Sequence, residues 1–568
     1  MIETTSTMVP VLIVGAGPTG LTLACELARA GVSFRLVEAA GGPQPGSRGK
    51  GVQPRTLEVF DDLGVVERVI AHGRMAMPIR SAAPDGRVTV SGGGTAVARP
   101  DVPYPASLIT PEWRVEEALR VRLAELGGAV EFGTALGGFE QLEEGVAAVV
   151  VKGGATETIN ARWLVGCDGG HSVVRKQAGI AFDGETREEV RMIVADVEVD
   201  GLDRDAWHMW RHEEGLVTLC PLPSTGLFQY QAGIAPGQDP GLGLANMQAI
   251  LERRSGRTDL RLHEPRWASL WRANVRLAAR YRQGDVFLAG DAAHIHSPAG
   301  GQGMNTGIQD AHNLGWKLAA VAKGASPALL YSYEAERRPV GASVLALSDA
   351  RLKQTLAQNG LVTRRDASTT QLGVSYRGST LARDDREESA PVAADDRDRV
   401  ALLRAANRDP GALPHADDRD KGALPHAGDR DGGSPLRTGD RDTGAALHGG
   451  DRVEGSPLRA GDRAPDAAGL MTVGGERRLF ELTRGGHFTL LCFGAVPAVE
   501  APPSGLRIFR VVGRPVGPGD VADAEGHLAR AYGATGRTLV VIRPDGHVGL
   551  ISDAGDVSAV SDYLALVS

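Results

Sequence analysis

The stretch Val11–Gly20, VLIVGAGPTG, decides how the fold begins. A short run of apolar residues that ends in glycines is typical of a strand buried in a parallel sheet. A helical stretch follows at residues 21–30, and a second apolar strand follows at 34–38. This order predicts a βαβ unit whose turn, rich in glycine, lies between the first strand and the helix.

The turn carries glycine at three positions with the G-x-G-x-x-G spacing. Gly15 permits a tight turn, Gly17 lets the backbone approach a pyrophosphate, and Gly20 allows helix and strand to pack closely. The N-terminus of the helix adds N–H groups and a partial positive charge that attract an anion. Pro18 and Thr19 lie in the same turn and belong to the predicted cofactor site.

Glu38 ends the second strand, where its carboxylate can accept hydrogen bonds from both ribose hydroxyls of a dinucleotide. The same charge would repel a 2′-phosphate, so NADP is disfavoured in this site and NAD or FAD remains. A turn of purely structural glycines is the alternative interpretation. Strand, glycine turn, helix and acid together favour a bound adenine dinucleotide.

Two later stretches distinguish NAD from FAD. They are LVGCDGGHSVVR at 164–175 and GDVFLAGDAAHIHSPAGGQGMN at 284–305, and the second continues through a helical segment to YEAERRP at 333–339. They resemble the two flavin motifs of the group A flavoprotein monooxygenases, which have the para-hydroxybenzoate hydroxylase fold. The resemblance covers residues 10–345 and is strongest to the aromatic polyketide hydroxylases.

This resemblance implies FAD as the cofactor. In the second motif the aspartate would accept a hydrogen bond from a ribityl hydroxyl, and the glycines would let the backbone lie flat against the isoalloxazine ring. The helix that follows would direct its positive end at the flavin. An aspartate that merely caps this helix is the alternative. The predicted site residues of the motif are Asp291, Pro298, Gly301, Gly303, Met304 and Asn305.

Other cofactor contacts are carried over position by position. Arg48 resembles the family arginine near the pyrophosphate and flavin, although a surface salt bridge would also explain it. Asp168 and Gly169 match a motif linked to both FAD and NAD(P)H. The family commonly has glutamine at the position of Glu112, and a glutamate keeps the acceptor but loses the amide donor. The contact made there therefore departs from the family pattern.

The implied activity is an FAD-dependent monooxygenation that consumes NADPH or NADH and dioxygen. A flavin C4a-hydroperoxide would hydroxylate an aromatic substrate, of phenolic or polyketide type. No catalytic base is predicted, and His294 and His296 are interpreted as structural. Baeyer–Villiger-type oxygen insertion and ring hydroxylation that inactivates an antibiotic remain alternatives. A flavin-loaded protein that only binds an aromatic ligand is the alternative that is not an enzyme.

The predicted fold class is α/β, with a Rossmann-like FAD-binding domain, an inserted antiparallel substrate sheet and a C-terminal thioredoxin-like domain that lacks CxxC. The boundaries are 1–185 with 281–345 for the FAD domain, 186–280 with part of 75–110 for the substrate sheet, 346–377 for a connecting helix, and 466–568 for the C-terminal domain. Trp210, Phe228 and Tyr230 are the predicted substrate contacts. Phe228 and Tyr230 share one face by strand alternation, and core packing would explain each of them as well.

Residues 378–465 consist of eight units of eleven residues, such as GALPHAGDRDG at 422–432. Most units contain glycine or proline in the middle, which excludes a continuous helix, and they have too few large apolar residues for a solenoid. The pattern predicts a solvated linker that is mostly disordered. The histidines and aspartates match no known spacing of metal ligands, so no metal site is predicted.

Charge and cysteine content limit the remaining function classes. The net charge of -8 and the pI near 6.0 disfavour nucleic-acid binding. The four cysteines are scattered and form no CxxC, so neither disulfides nor zinc is expected, and a cytoplasmic location is predicted. No apolar stretch reaches the ~18 residues that a membrane span needs. The sequence leaves the oligomeric state open.

Overall fold

A computed structural model describes residues 8–93, 97, 99–238, 241–297, 300–358, 367–386, 456–496 and 505–567. The central repeat units at 387–455 and Pro298 lie outside the described residues. Most described strands belong to three large sheets, called here the first, second and third sheet in the order in which the chain enters them.

The first sheet contains the predicted βαβ unit. In spatial order its main strands are Arg282–Gln283, Val286–Leu288, Ala155–Gly166, Val9–Val14, Phe34–Glu38 and Glu131–Phe132, and Val146–Lys152 and Thr134–Gln141 extend it from Ala155–Gly166. Five neighbouring strands, from Val286–Leu288 to Glu131–Phe132, run parallel. Their carboxyl ends therefore meet at one edge, and all the motifs of the sequence analysis lie at that edge.

The helices surround this sheet and connect it to the other two. They are α1 Pro18–Arg29, α2 Pro54–Leu63, α3 Val66–Ala71, α4 Glu112–Glu125, α5 Val173–Gln177, α6 Leu244–Ser255, α7 Gly303–Ala322, α8 Tyr331–Gln358, α9 Ala367–Thr370, α10 Leu479–Thr483, α11 His527–Tyr532 and α12 Val557–Leu564, with 3-10 turns at Gly290–Ala292 and Pro327–Leu330. Apolar side chains of α1 and α7 pack into the same core as the strands of the first sheet. Both helices thus begin at the edge where the motifs lie.

The second sheet is the predicted insertion. In spatial order it consists of His294–Ile295, Trp267–Ala278, Phe182–Val197, Phe228–Ile234, Val217–Pro221, Trp207–Trp210, Ile79–Ala82 and Val88–Ser91. It is antiparallel except where Trp207–Trp210 pairs in parallel with Ile79–Ala82. Ile79–Ala82 comes from a part of the chain about 100 residues before most strands of this sheet, so no tight turn forces it to run antiparallel to Trp207–Trp210.

Two faces of the second sheet have different surroundings. Alternate residues such as Val217, Leu219 and Ala232 form a closed apolar core with Met247 and Leu251 of α6. The residues between them on the same strands point to the opposite face, which is turned toward the segment 47–50. Only this second face can meet a group bound at the edge of the first sheet.

The third sheet lies at the C-terminus. Its spatial order is Arg383–Asp384, Val548–Ser552, Leu539–Ile542, Phe488–Phe493, Leu506–Val511 and Asp520–Val521. Three small sheets complete the described strands: Val199–Asp200 with Arg261–Leu262, Leu470–Thr472 with Gly475–Arg477, and Gly51–Val52 with Leu108–Ile109 and Arg74–Met75.

The two ends of the repeat region correct the prediction of a solvated linker over 378–465. The first unit supplies a strand to the third sheet. In the last unit the buried carboxylate of Asp462 accepts hydrogen bonds from Ser375 and Arg377, and Arg463 forms a buried ion pair with Glu58. These partners lie outside the repeat, which is why the terminal units are ordered. The prediction for 387–455 falls outside the described residues.

The first and last units also contact each other. The guanidinium of Arg386 donates to the carbonyl oxygen of Leu458, and the backbone N–H of Ala460 donates to Asp384. The described residues on the two sides of 387–455 therefore lie next to each other.

All four cysteines are free and buried. None of the helices in the described parts of the chain is long and apolar enough to cross a bilayer. The predicted cytoplasmic location stays a prediction.

Candidate flavin and substrate site

The glycine turn has the geometry that its spacing predicts. Gly15 has a φ of +102°, and a Cβ there would lie 2.4 Å from the carbonyl oxygen of Cys167. A Cβ on Gly20 would lie 1.9 Å from the carbonyl oxygen of Gly15. A Cβ on Gly17 would meet nothing within 4 Å. Gly15 and Gly20 are thus required by the protein itself, whereas Gly17 leaves open space where another group can approach the backbone.

The start of α1 is free to bind an anion. Gly17 caps the helix without a side-chain hydrogen bond, Pro18 occupies the first turn, and that turn contains no acidic residue. The carboxylate of Glu38 accepts hydrogen bonds from the backbone N–H groups of Ala16 and Ala40, both at 2.9 Å. Each carboxylate oxygen keeps a lone pair for a ribose hydroxyl. The arrangement fits the adenosine and pyrophosphate of a dinucleotide.

Thr19 joins the first motif to the second. Its side chain lies so close to Gly290 and Gly307 that a Cβ on either glycine would come within 2.6 Å and 2.4 Å of the hydroxyl oxygen. Asp291 follows in the turn Gly290–Ala292 and is exposed, so its carboxylate is available to a bound group. The backbone N–H of Gly290 donates to Asp310 instead, which fixes the turn.

The loop before α7 is fixed by Asn305. Its side-chain amide donates to the carbonyl oxygens of Gly51 and Gly301, and its oxygen accepts from the backbone N–H of Gln53. Gly301 has a φ of +63°, which favours glycine there. Both amide N–H groups of Asn305 are thereby used by the protein, so the side chain positions the loop. The cofactor contact predicted for Asn305 stays a prediction.

The neighbours of Asn305 in the motif have separate surroundings. Met304 packs against the main core and Gly303 begins α7, where a Cβ would lie 3.2 Å from the ring of His296. The predicted residue Pro298 lies outside the described residues. Sequence analysis missed Gln53, whose side-chain amide donates to the carbonyl oxygens of Gly300 and Gly301. Only contacts distant in sequence reveal it.

Glu112 and Arg48 lie together beside the flavin motif. The carboxylate of Glu112 accepts a hydrogen bond from the backbone N–H of Gly49. Burial, with the charge of Glu116 next, raises the pKa of Glu112 to about 7, although Gly49 and Arg48 act in the opposite direction. Near neutral pH the carboxyl group therefore keeps a proton part of the time and can donate a hydrogen bond. This restores a donor where the family commonly has glutamine.

The carboxylate of Asp168 is bound by the turn that follows it. Its carboxylate accepts from the Ser172 hydroxyl and from the backbone N–H groups of Val173 and Val174, so it caps the short helix α5. Gly169 has a φ of +76° in the same turn. The motif therefore supports the site by holding a turn, and the direct cofactor contact predicted for Asp168 and Gly169 stays a prediction.

Arg175, the last residue of that motif, links it to the flavin turn. Its guanidinium donates at 2.9 Å to the carbonyl oxygens of both Ala292 and Gly170. The motif therefore ties the carboxyl end of Ala155–Gly166 to that of the neighbouring strand Val286–Leu288.

The predicted substrate contacts need correction. Trp210, Phe228 and Tyr230 lie in the closed core against α6, and the hydroxyl of Tyr230 donates to the carbonyl oxygen of Met247. Phe228 and Tyr230 share a face, as alternation requires, but the face is the one that α6 covers. An aromatic substrate beside the flavin site would not reach them.

The opposite face carries polar and aromatic side chains. Gln229 donates through its amide to the carbonyl oxygen of Ser47 and accepts from the ammonium group of Lys50. That ammonium lies 4.3 Å from the ring centroid of Trp207. Asp196 accepts from the backbone N–H of Ser47 at 2.8 Å. The segment 47–53 thus contacts this face at one end and Asn305 at the other.

The histidines of the second motif are buried. His294 forms a hydrogen bond with Asp310 at 2.6 Å, and Asp310 also pairs with Arg337 at 2.7 Å. The sequence analysis found no partner for His294, because Asp310 is sixteen positions away on α7. With no exposure, the pair can support the turn at Gly290 but cannot contact a substrate.

One group of possible metal ligands occurs in the described parts of the chain. It consists of Glu26, Asp62 and His312. The guanidinium of Arg29 lies 2.7 Å from Glu26 and 2.6 Å from Asp62. A cation is therefore already present as a side chain, and the group is explained as a buried ion-pair cluster.

Comparisons with known proteins agree with this geometry. A family model described as an FAD binding domain matches residues 8–348. A flavin-dependent monooxygenase of Mycobacteroides abscessus is 39% identical over 566 residues, which are 98% of this chain and 99% of that protein. A 6-methylpretetramide 4-monooxygenase of Streptomyces rimosus is 41% identical over 347 residues, 59% of this chain and 60% of that protein. The solved complex of aklavinone-11 hydroxylase with FAD and aklavinone has a TM-score of 0.77 at 26% identity and covers 98% of both chains.

The fold and the site define a flavoprotein of the α/β class. The chain belongs to the FAD-binding-domain family and is an FAD-dependent aromatic monooxygenase. FAD is its cofactor, and NADPH or NADH is the co-substrate typical of the family. The resemblance drawn from the motifs is thereby confirmed.

Proposed function

We propose that the protein uses NAD(P)H and dioxygen to hydroxylate a ring of a phenolic compound with several fused rings. The observation that carries the proposal is the segment 47–53. It contacts the flavin loop through Asn305 and the open face of the second sheet through Asp196 and Gln229. A flat ligand held on that face would lie beside the flavin site.

The bound flavin would supply the redox chemistry: it takes hydride equivalents from NAD(P)H and activates dioxygen. The protein would do the rest. The N-terminus of α1 and Glu38 would hold the adenosine and pyrophosphate, and Asp291 would hold the ribityl chain. The second sheet would orient the ring and exclude water from the reaction.

The polar and aromatic side chains on the open face of the second sheet support the proposed substrate class. The open face offers Trp207 for stacking, Gln229 and Gln231 for hydrogen bonding, and the ammonium group of Lys50. Flat aromatic groups with hydroxyl or carbonyl substituents match this combination. Aklavinone hydroxylation by a protein of similar structure is consistent with such a substrate.

We also propose that the third sheet belongs to a thioredoxin-like domain. Phe488–Phe493 pairs in parallel with Leu506–Val511 and antiparallel with Leu539–Ile542, which in turn pairs antiparallel with Val548–Ser552. This order supports the fold. Cys492 is the one cysteine of the domain, and burial raises its pKa to about 11, so it is a poor nucleophile. The domain would be structural rather than redox-active.

The test is NAD(P)H oxidation by the purified yellow protein, with and without a panel of fused-ring phenols, under ¹⁸O-labelled dioxygen. Substrate-stimulated oxidation with one labelled oxygen atom in a hydroxylated product is expected. A product with the label inside an enlarged ring would indicate Baeyer–Villiger chemistry. Tight ligand binding without stimulated oxidation would refute turnover and favour a binding protein.

A further inference from the structure

Lys50 is a cation that has no counter-ion among the described residues. Its side chain is only partly exposed. Its ammonium group has a single hydrogen bond among the described residues, to the amide oxygen of Gln229, and no carboxylate lies within ion-pair distance. An ammonium group has three N–H donors, so two are not used by protein acceptors. Buried charges are normally paired, because removal from water costs several kcal/mol per ion.

The nearest acidic groups do not act as that partner. Asp196 influences Lys50 only through space, and its hydrogen bond is to Ser47. Burial raises the pKa of Asp196, and it raises the pKa of Cys220 to about 12, so the Cys220 thiol is neutral near neutral pH. Burial also lowers the pKa of Lys50. The lowered pKa agrees with a buried ammonium group that has no carboxylate within ion-pair distance among the described residues.

The surroundings of Lys50 favour an aromatic ligand. The ammonium group stands over the ring of Trp207. The indole N–H of Trp207 and the second carboxylate oxygen of Asp196 are buried, and neither has a hydrogen-bond partner in the part of the chain that the structure describes. Met77 and Ile109 form the apolar side of the same cluster, together with Cys220. A cation, a ring, an unused N–H donor and an apolar wall therefore occur together.

The position of Lys50 in the chain connects it to the flavin site. It follows Gly49, which donates to Glu112, and precedes Gly51, whose carbonyl oxygen accepts from Asn305. The side chain of Lys50 points away from these contacts to Gln229 on the second sheet. An anion bound there would lie between the flavin loop and the open face of that sheet.

We infer that Lys50 binds the oxyanion of an ionised phenol or enol on the substrate and selects for substrates that carry such a group. The inference rests on the proposed function and names its substrate class more closely. The chemical consequence is direct: an ionised ring oxygen makes the ring more electron-rich, which favours attack on an electrophilic oxygen. Lys50 would stabilise this form by charge and would orient it by the N–H groups that Gln229 leaves free.

The test measures binding, not turnover. The oxidised, flavin-loaded protein is titrated with 1-hydroxyanthraquinone and with its methyl ether, and binding is followed by flavin absorbance. The wild type is expected to bind the phenol about tenfold or more tightly than the ether. The bound phenol should show its red-shifted phenolate band at a pH below the pKa of the free compound.

Lys50→Met is the decisive variant, because methionine matches the unbranched apolar stem of lysine and lacks the ammonium group. It should bind phenol and ether within about threefold of each other and show no phenolate band, while Lys50→Arg keeps both properties. Lys152→Met, at an exposed position, is the matched control and should behave as the wild type. Lys50 has no ion-pair partner among the described residues that the substitution would leave unpaired. The melting temperature of the Lys50→Met protein should therefore not fall below that of the wild type.

The outcomes separate this inference from the proposed function. A Lys50→Met protein that keeps the preference for the phenol and its phenolate band would overturn the role of Lys50, even if substrates stimulate the wild type. Equal binding of phenol and ether by the wild type would also overturn it, as would no binding of either. If no fused-ring phenol stimulates NAD(P)H oxidation but Lys50 still selects the phenolate, the proposed turnover fails and the anion site stands.

Discussion

A buried ion cluster joins the FAD-binding part of the chain to the third sheet, and its central residue is Glu336. The Glu336 carboxylate accepts hydrogen bonds from Lys317 at 2.7 Å and from both terminal nitrogens of Arg543 at 2.7 and 2.8 Å. Asn313 and Ser379 donate to it as well. The side chains of Glu336, Lys317 and Arg543 have no solvent exposure.

Glu336→Gln keeps the shape of this side chain and removes its charge. Lys317 and Arg543 would then share only Asp545 as a buried anion. Removal of one partner from a buried ion pair costs about 3–5 kcal/mol, because the other charge stays uncompensated. We expect the free energy of unfolding to fall by this amount. The interaction that is lost is the one that joins α7 and α8 to the third sheet.

The pH dependence has a defined sign. Burial raises the pKa of Glu336, but Arg543 and Lys317 outweigh it and hold that pKa well below its ordinary value of 4.5. Glu336 therefore stabilises the fold above pH 4.5, and this contribution is lost as the pH falls below 4.5. The difference in stability between wild type and Glu336→Gln should narrow over that acid range.

Denaturant unfolding at neutral pH, followed by tryptophan fluorescence, measures the effect. Trp316 is a suitable reporter, because its indole N–H donates to Asp545 and its ring packs edge-on against Phe488. Glu125→Gln is the control: its ion pair with Arg68 is exposed, so its removal should change the free energy of unfolding little. A loss below ~1 kcal/mol in Glu336→Gln would refute the view that this cluster holds the two parts together.

Three further predictions follow from single features. Because the folded protein raises the pKa of Glu112 from 4.5 to about 7, its stability falls as the pH rises through that range. Glu112→Gln should remove this loss. In melting curves of flavin-free protein, the stability of the variant relative to the wild type should rise by at most ~3 kcal/mol between pH 5 and pH 8. The same stability difference between variant and wild type at both pH values would contradict this prediction. Gly307→Ala places a Cβ 2.4 Å from the Thr19 hydroxyl and should cost about 1–3 kcal/mol and lower flavin content, whereas Gly226→Ala, with open space, should not. Deletion of 389–454 should leave flavin binding and turnover intact, and inactive but soluble, flavin-loaded protein would show otherwise.

The glycine turn could be predicted from the sequence, because Gly15, Gly17 and Gly20 are close along the chain. The spacing of Gly15, Gly17 and Gly20 fixes their separate functions, and each geometry follows from backbone sterics alone. The substrate half of the site could not be predicted in this way. Alternation states that Phe228 and Tyr230 share a face, but it does not state which face a helix covers. The apolar spacing of Met247, Ile250 and Leu251 on α6 was the available signal for that choice.

Contacts between residues that are distant in sequence were the second limit on predicting the site. Asp168 matched a motif, yet its carboxylate is used by the turn that follows it, and the motif alone does not distinguish support from contact. Lys50 and Gln53 carried no pattern, and they matter because the segment between them contacts two sheets. The repeat had a related limit: its last unit resembles the others, and only the partners of Asp462 and Arg463 make it part of the fold.

The contact between Arg386 and the backbone near Leu458 has an evolutionary consequence. A segment whose two ends are fixed side by side can change in length at low cost, since each doubling of a closed loop costs only about 0.6 kcal/mol. Copying errors that add or remove eleven-residue units would thus pass almost unnoticed by selection on stability. The same place would tolerate a foreign domain, and it offers a site for a reporter or an affinity tag within an intact enzyme.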